Sequence, residues 1–395
     1  MRVKVLEAQA WHQVVVVAVT RKIILVAVLL AQSINCAIAA VLPEDRADVM
    51  FHEYDGGGVE INGPSILVRK SVGKSVSAYA KYYVDSVSSA SIDVITTASP
   101  YKEERTEIGA GVDYLHEKTK MSLSLTTSSE NDYEADTTSV SISQDMFGDL
   151  TTVTLGYIKG DNVVGKNGSA TFRKDVDLKA YRVSVSQVLS KDMLLSVAFD
   201  TMTDQGFLNN PYRRVRYIDT ASATGYSYQE EVYPNTRTSN ALAFHLRHYL
   251  PHRASVYAGY RYFVDTWSIQ ADTFDLGYVH THEDNWLFEI SYRFYSQSQA
   301  EFYSDLFPYF DAQTFMARDK ELSSYTDHTI SAGVTYEFGK DGFSVFKKGT
   351  VNFYISHIVF DYDNFKDLTV LSSPGDEPAY GFTANVYRVF ASFWF

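Results

Sequence analysis

Segments of about ten residues that alternate apolar and polar side chains recur along most of this chain, and no other feature narrows its possible folds as far. Met121, Leu123 and Leu125 alternate with Ser122, Ser124 and Thr126, and Val140 and Ile142 with Ser139, Ser141 and Ser143. Val153, Leu155 and Tyr157 alternate with Thr152, Thr154 and Gly156, and Tyr181, Val183 and Val185 with Arg182, Ser184 and Ser186. Trp286 to Phe294 and Ile330 to Phe338 repeat the pattern. A strand sends successive side chains to opposite faces, so each segment has one oily face and one wet face.

A soluble sandwich would turn the oily face to a protein core. A membrane-spanning barrel turns it to lipid and lines its lumen with the polar face. Three features select the barrel. The polar face is Ser, Thr, Gly and occasional charge, suited to a wet interior. Tyr and Phe gather at segment ends, where aromatic girdles meet the lipid–water boundaries. The connections also alternate in length. Short ones fall at Val72–Ser75, Leu115–Lys118, Met146–Leu150, Leu189–Asp192, Leu250–Arg253, His280–Asn285 and Phe338–Lys348. Between them lie mostly long ones: Ser88–Glu103, Gly160–Asp175, Asp204–Thr236, Gln297–Asp327 and Asp361–Ala379. Ser129–Glu134 is of middling length and Asp265–Trp267 a tight turn. Bacterial barrels pair short periplasmic turns with long outer loops in this way.

Seven short turns at one end, with both termini there, imply eight hairpins and an all-β, antiparallel up-and-down barrel of 16 strands. The first strand then falls around Arg46–Tyr54, before Gly56-Gly57-Gly58. Fourteen strands is the second choice, with 41–64 as an N-terminal extension or weak first strand and 65–395 as the barrel. The chain ends on a matching strand: Phe395, Phe393, Ala391, Val389 and Tyr387 occupy alternate positions. Such an end resembles the signal read by the bacterial barrel-assembly machinery. It closes the sheet and removes its edge.

Residues 1–40 read as a cleaved signal peptide with an extended n-region. Arg21 and Lys22 precede the apolar run Ile23–Ala31, and Cys36-Ala37-Ile38-Ala39-Ala40 supplies an A-x-A site. The true start codon is left open by residues 1–20. Cleavage near Ala39 or Ala40 removes Cys36 and, with it, disulfides, thiol nucleophiles and Cys-based metal sites. Four basic residues and one acidic residue leave with the leader, so a net charge of −13 becomes −16. That balance argues against a nucleic-acid partner. The mean hydropathy of −0.17 argues against a helical polytopic membrane protein. The expected location is the bacterial outer membrane, with its lipid as partner. A periplasmic protein partner and the oligomeric state stay open.

Several fragments are longer and more individual: Val41-Leu42-Pro43-Glu44-Asp45-Arg46-Ala47-Asp48, Tyr82-Tyr83-Val84-Asp85-Ser86, Gly206-Phe207-Leu208-Asn209-Asn210-Pro211-Tyr212-Arg213, Phe302-Tyr303-Ser304-Asp305-Leu306-Phe307-Pro308 and Ala317-Arg318-Asp319-Lys320-Glu321-Leu322-Ser323. With the Phe-Trp-Phe end they resemble the DUF3570 family of Gram-negative proteins, over about 41–395. The resemblance implies an outer-membrane barrel and assigns no activity, cofactor or site residue.

Chemical motifs are few. Asp361-Tyr362-Asp363-Asn364 opens like a calcium loop, but Lys366 and Ser372 stand where Gly and Glu belong, so it reads as an acidic surface loop. His280 and His282, beside Glu283 and Asp284, read as a solvated turn. Gly109-x-Gly111 lacks the helix of a dinucleotide site, and no G-x-S-x-G elbow occurs. No catalytic, cofactor or metal residue is assigned, and the chain reads as a non-enzyme. Arg182, Arg261, Glu289, Arg293, Glu337 and Arg388 fall on faces turned to the lumen. Charge there either sets solute preference or pairs to brace the barrel. The reading is a porin-like channel for small solutes. The alternatives are a non-conducting structural or partner-binding barrel linked to a periplasmic system and, last, an outer-membrane enzyme. The long loops Asp204–Thr236 and Gln297–Asp327 are aromatic enough to fold, over the mouth or into the lumen.

Overall fold

A computed structural model of the chain describes residues 41–89, 101–339, 342 and 345–395. The leader over 1–40, with Cys36, and part of the Ser88–Glu103 connection lie outside the described residues.

Sixteen antiparallel strands close into one barrel. The first half runs β1 (Arg46–Gly56), β2 (Val59–Val72), β3 (Val76–Ser89), β4 (Tyr101–His116), β5 (Thr119–Ser129), β6 (Tyr133–Met146), β7 (Thr151–Val164), β8 (Lys174–Ser190) and β9 (Met193–Gly206). A separate two-stranded ribbon follows, β10 (Arg214–Ile218) with β11 (Tyr226–Glu230). The wall resumes with β12 (Thr236–Leu250), β13 (Ala254–Asp265), β14 (Gln270–His282), β15 (Trp286–Gln297), β16 (Tyr325–Phe338), β17 (Lys348–Lys366) and β18 (Ala379–Trp394). The barrel shuts where β1 pairs β18, from Arg46 opposite Trp394 to Gly56 opposite Ala384. The weakly patterned 41–64 thus supplies β1 and the start of β2.

The alternation has a physical meaning visible in exposure. Along β15, Trp286, Phe288, Ile290 and Tyr292 are exposed, while Glu289, Ser291 and Arg293 are half-buried. Leu276, Ile330 and Ile290 are 59%, 58% and 55% exposed on the outside of the closed sheet. A soluble protein does not surround itself with a belt of this kind. Hydrocarbon accepts it, provided every backbone group is paired within the sheet, as closure ensures. No helix among the described residues is long and apolar enough to cross a membrane.

All seven short connections lie where the spacing puts them. Gly73 and Glu117 take positive φ in two of these turns, the backbone hand that tight hairpins require. One irregularity has a clear cause. Pro64 has no N–H to donate, and the β2–β3 ladder is interrupted at Gly63-Pro64 while the β1–β2 ladder continues through both.

Three expectations are corrected. Asp361–Asn364 is part of β17, not a surface loop, because β17 runs on to Lys366 beyond its neighbours' main ladder. The His280–His282 pair lies within the end of β14 rather than in the turn. The connection expected over Gly160–Asp175 is shorter than it looked, since β7 continues to Val164.

Candidate functional site: the lumen wall and its cap

The inner wall from β5 to β9 is built of small hydroxylated residues. Ser143 and Thr154 share a hydrogen bond of 2.8 Å between β6 and β7, and Ser186 and Ser196 one of 2.8 Å between β8 and β9. Bonded to each other, these side chains lie along the sheet rather than across the lumen.

Arg182 on β8 and Asp200 on β9 interrupt this stretch, and further charge lines the remainder. On β1 to β4 it is largely matched. Arg69 donates to Asp113, Arg105 to Glu107 at 2.8 Å, and Lys81 to the same Glu107 at 2.7 Å. His52 lies 2.8 Å from Asp85 and stacks on Tyr83.

The six sequence-derived charges all lie on strands. Arg182 on β8 makes a two-pronged pair with Asp200 on β9, at 2.5 and 2.9 Å, so it braces neighbouring strands rather than spanning the lumen. Arg261 has a buried Nε without a partner, and its guanidinium stands 5.5 Å from the Phe263 ring. Arg293 stands 5.7 Å over Tyr295, with Asp275 opposite it in register. Glu289 accepts hydrogen bonds from the Tyr257 hydroxyl at 3.1 Å and the Tyr354 hydroxyl at 3.4 Å. Arg388 stands 5.5 Å over Tyr354. Glu337 is set apart near the short-turn end, where it lines a cavity with Asp45, Lys347 and Trp394. In the closing strand, Tyr387, Val389, Ala391 and Phe393 occupy the face opposite Arg388. Phe395 follows the strand and donates its N–H to the Asp45 carbonyl at 3.3 Å, under the Lys70 ammonium.

Tyrosines make the wall fit. Tyr257 lies over Gly277 and Tyr354 over Gly333, where any Cβ would run into the ring. Glycine here serves as a seat for an aromatic side chain on the next strand.

The second half of the site is a cap at the long-loop end. Loop 207–235 carries the ribbon β10–β11, and loop 298–324 lies against it through bridges between Tyr217 and Phe307 and between Val232 and Met316. Val215, Phe307 and Met316 form one small core; Tyr233, Trp267, Phe302 and Tyr303 belong to another. Arg216, fully buried, is the centre of the polar network. It holds both Glu377 oxygens, at 2.5 and 3.0 Å, and also pairs with Asp305. Arg318 reaches the second Asp305 oxygen at 3.0 Å. Arg213 pairs with Asp319 at 2.7 Å, and the Tyr212 hydroxyl donates to Asp132, in the β5–β6 connection, at 2.6 Å. Glu377 lies in the β17–β18 loop, six strands around the ring from the gap between β9 and β12. A bond from Arg216 to Glu377 is therefore a chord over the mouth.

Burial alone would raise the Glu377 carboxyl, but the Arg216 hydrogen bonds and charge outweigh it and hold it down at about 2. Glu231 goes the other way: burial first, then the Asp319 charge, push it up, although the Tyr233 hydroxyl and the Arg318 N–H both bond to it.

Sequence reading missed Arg247, Asp200, Arg216 and Glu377. Arg247 was findable, since Leu242, Phe244 and Leu246 are exposed on the outside and place Ala243, His245 and Arg247 inside. The cap was not, because no local pattern brings Arg216 to Glu377. Among the described residues no group of His, Cys, Asp or Glu is arranged to hold a metal ion.

No curated protein sequence matches the chain. The family described as "Protein of unknown function (DUF3570)" matches residues 25–176 and 165–350. Similar solved structures include a "Bacterial polysaccharide outer membrane secretin", 8% identical, with TM-score 0.48 over 90% of this chain and 100% of that one. The outer-membrane expressed OmpT of Vibrio cholerae is 10% identical, with TM-score 0.42 over 90% of this chain and 100% of its own. A Pseudomonas aeruginosa FadL homologue is 9% identical, with TM-score 0.40 over 90% and 91%. At such identities nothing about cargo is carried across.

Proposed function

The chain belongs to the DUF3570 family, and from that premise we propose that it works as an integral outer-membrane channel for small polar solutes, closed at rest by its loop cap. One observation carries the reading: a closed, lipid-compatible barrel has a lumen faced with hydroxyls and charge rather than with an apolar core. The role is passage, not catalysis.

The test is conductance of the purified, refolded barrel in planar lipid bilayers. Stepwise currents are expected, rare in the parent and frequent in Arg216→Ala, whose cap loses its central cation. The folded cap itself favours a second reading, a non-conducting barrel that presents a surface to a partner. Silence from both parent and Arg216→Ala would select that reading and end the first.

A further inference from the structure

We propose that the β12–β18 wall is an anion track, selecting solutes that carry carboxylate or phosphate groups. The inference rests on the channel reading and names its substrate class.

Register orders the lumen-facing residues into rows that run from strand to strand. Arg261 shares a row with Thr273, Tyr295 and Asp327. The next row holds Gly259, Asp275 and Arg293. The one after it holds Arg247 and Tyr257, and the following one Glu289, Gly333, Tyr354 and Arg388. Four consecutive rows, about 7 Å apart along the strands, thus carry one arginine each.

All four are held in the same way. Arg247 stands 5.3 Å over Tyr257, Arg261 5.5 Å from Phe263, Arg293 5.7 Å over Tyr295 and Arg388 5.5 Å over Tyr354. Among the described residues none of the four forms an ion pair, in contrast to Arg182 with Asp200 and to the matched charges of β1–β4. The nearby acids are mostly engaged. Glu289 holds two tyrosine hydroxyls, and Asp327 is 6% exposed and accepts from Thr329. Asp275 stands beside Arg293 in register.

A guanidinium laid against a ring is fixed in direction but keeps N–H groups free. Those groups match the two oxygens of a carboxylate or phosphate. Asp275 and Asp327 act electrostatically on Arg293, and Asp200 on Arg261, but among the described residues none of them forms a salt bridge with its arginine, so guanidinium N–H groups stay open to an anion that can reach them. Successive rows would pass such an anion from one guanidinium to the next, weakly enough at each for it to leave.

The experiment is the reversal potential of the full barrel under a KCl gradient, in the parent and in Arg247→Gln/Arg261→Gln/Arg388→Gln. Folding of each is checked by heat-modifiable gel migration. The parent should prefer chloride, and the triple variant should lose that preference several-fold. Lys74→Ala, in an exposed turn, should leave it unchanged. A conducting parent that prefers potassium, or a triple variant of unchanged selectivity, overturns the track while leaving the channel standing. If parent and Arg216→Ala are both silent, the channel fails and binding decides. Inorganic pyrophosphate should then bind the detergent-folded parent at least about tenfold more tightly than the triple variant, and equal binding overturns the track. Should the triple variant not fold, Arg261→Lys replaces it: chloride preference is kept while pyrophosphate binding weakens, and unchanged pyrophosphate binding counts against the proposal.

Discussion

At the scale of single residues, Arg216 has the largest consequences. Its guanidinium is wholly buried against Glu377 and Asp305. Removing it leaves Glu377 without its cation and Asp305 with Arg318 alone, which costs about 3–5 kcal/mol in such settings. Arg216→Ala should therefore open the cap while leaving the strands intact. Proteolysis of the 367–378 loop should accelerate, with unchanged heat-modifiable migration of the barrel. Acid should act on the same bond. Glu377 is depressed to about 2 in the folded cap, against about 4.3 in an unfolded chain. Its contribution is complete above about pH 4.3 and fades as pH falls towards 2. Pepsin cleavage of the cap loops should rise across that window in the parent and be flat in Glu377→Gln.

At the scale of elements, the strands were legible, and the long loops were legible as folded but not in the contacts that make them a cap. A strand facing lipid on one side and water on the other writes its period into the sequence, and β15 and β16 can be read residue by residue. β1 was harder. Asp48, Met50 and His52 face inward beside Val49 and Phe51 facing out, so polar and apolar residues mix on the inner face. Its place follows from counting turns and needing a partner for β18. Asp361–Asn364 misled because acidic composition suggests a loop even where pairing continues. Of the lumen charges, those on clean alternations were found, whereas cap residues depend on contacts between segments far apart in sequence. The last strand carries its own prediction. Phe393→Ala/Phe395→Ala should lower the amount of barrel assembled in the outer membrane several-fold, with little effect on the stability of protein refolded in detergent. Equal losses in both assays would mean packing alone. Phe393 does pack edge-on against Phe338, so a modest stability change is expected.

At the scale of the whole molecule, the sidedness of the wall is the claim most easily checked. Trp286 is 39% exposed on the outer face beside Phe288 and Tyr336, whereas Trp267 is 5% exposed inside the cap, under Arg237. In single-tryptophan variants reconstituted with brominated lipid, Trp286 fluorescence should be strongly quenched and Trp267 fluorescence barely touched. Quenching of both to the same degree would place the belt elsewhere. The two ends of the molecule are also unlike. One has short connections, the longest of them between β16 and β17; the other carries nearly all the irregular chain, folded into a unit with its own small cores.

The Arg216–Glu377 bond joins positions 161 residues apart, and Glu377 belongs to the final hairpin. The latch cannot fasten until that hairpin has arrived, so a half-built cylinder stays unlatched. A surface probe that recognises the fastened latch would report finished molecules and pass over every intermediate.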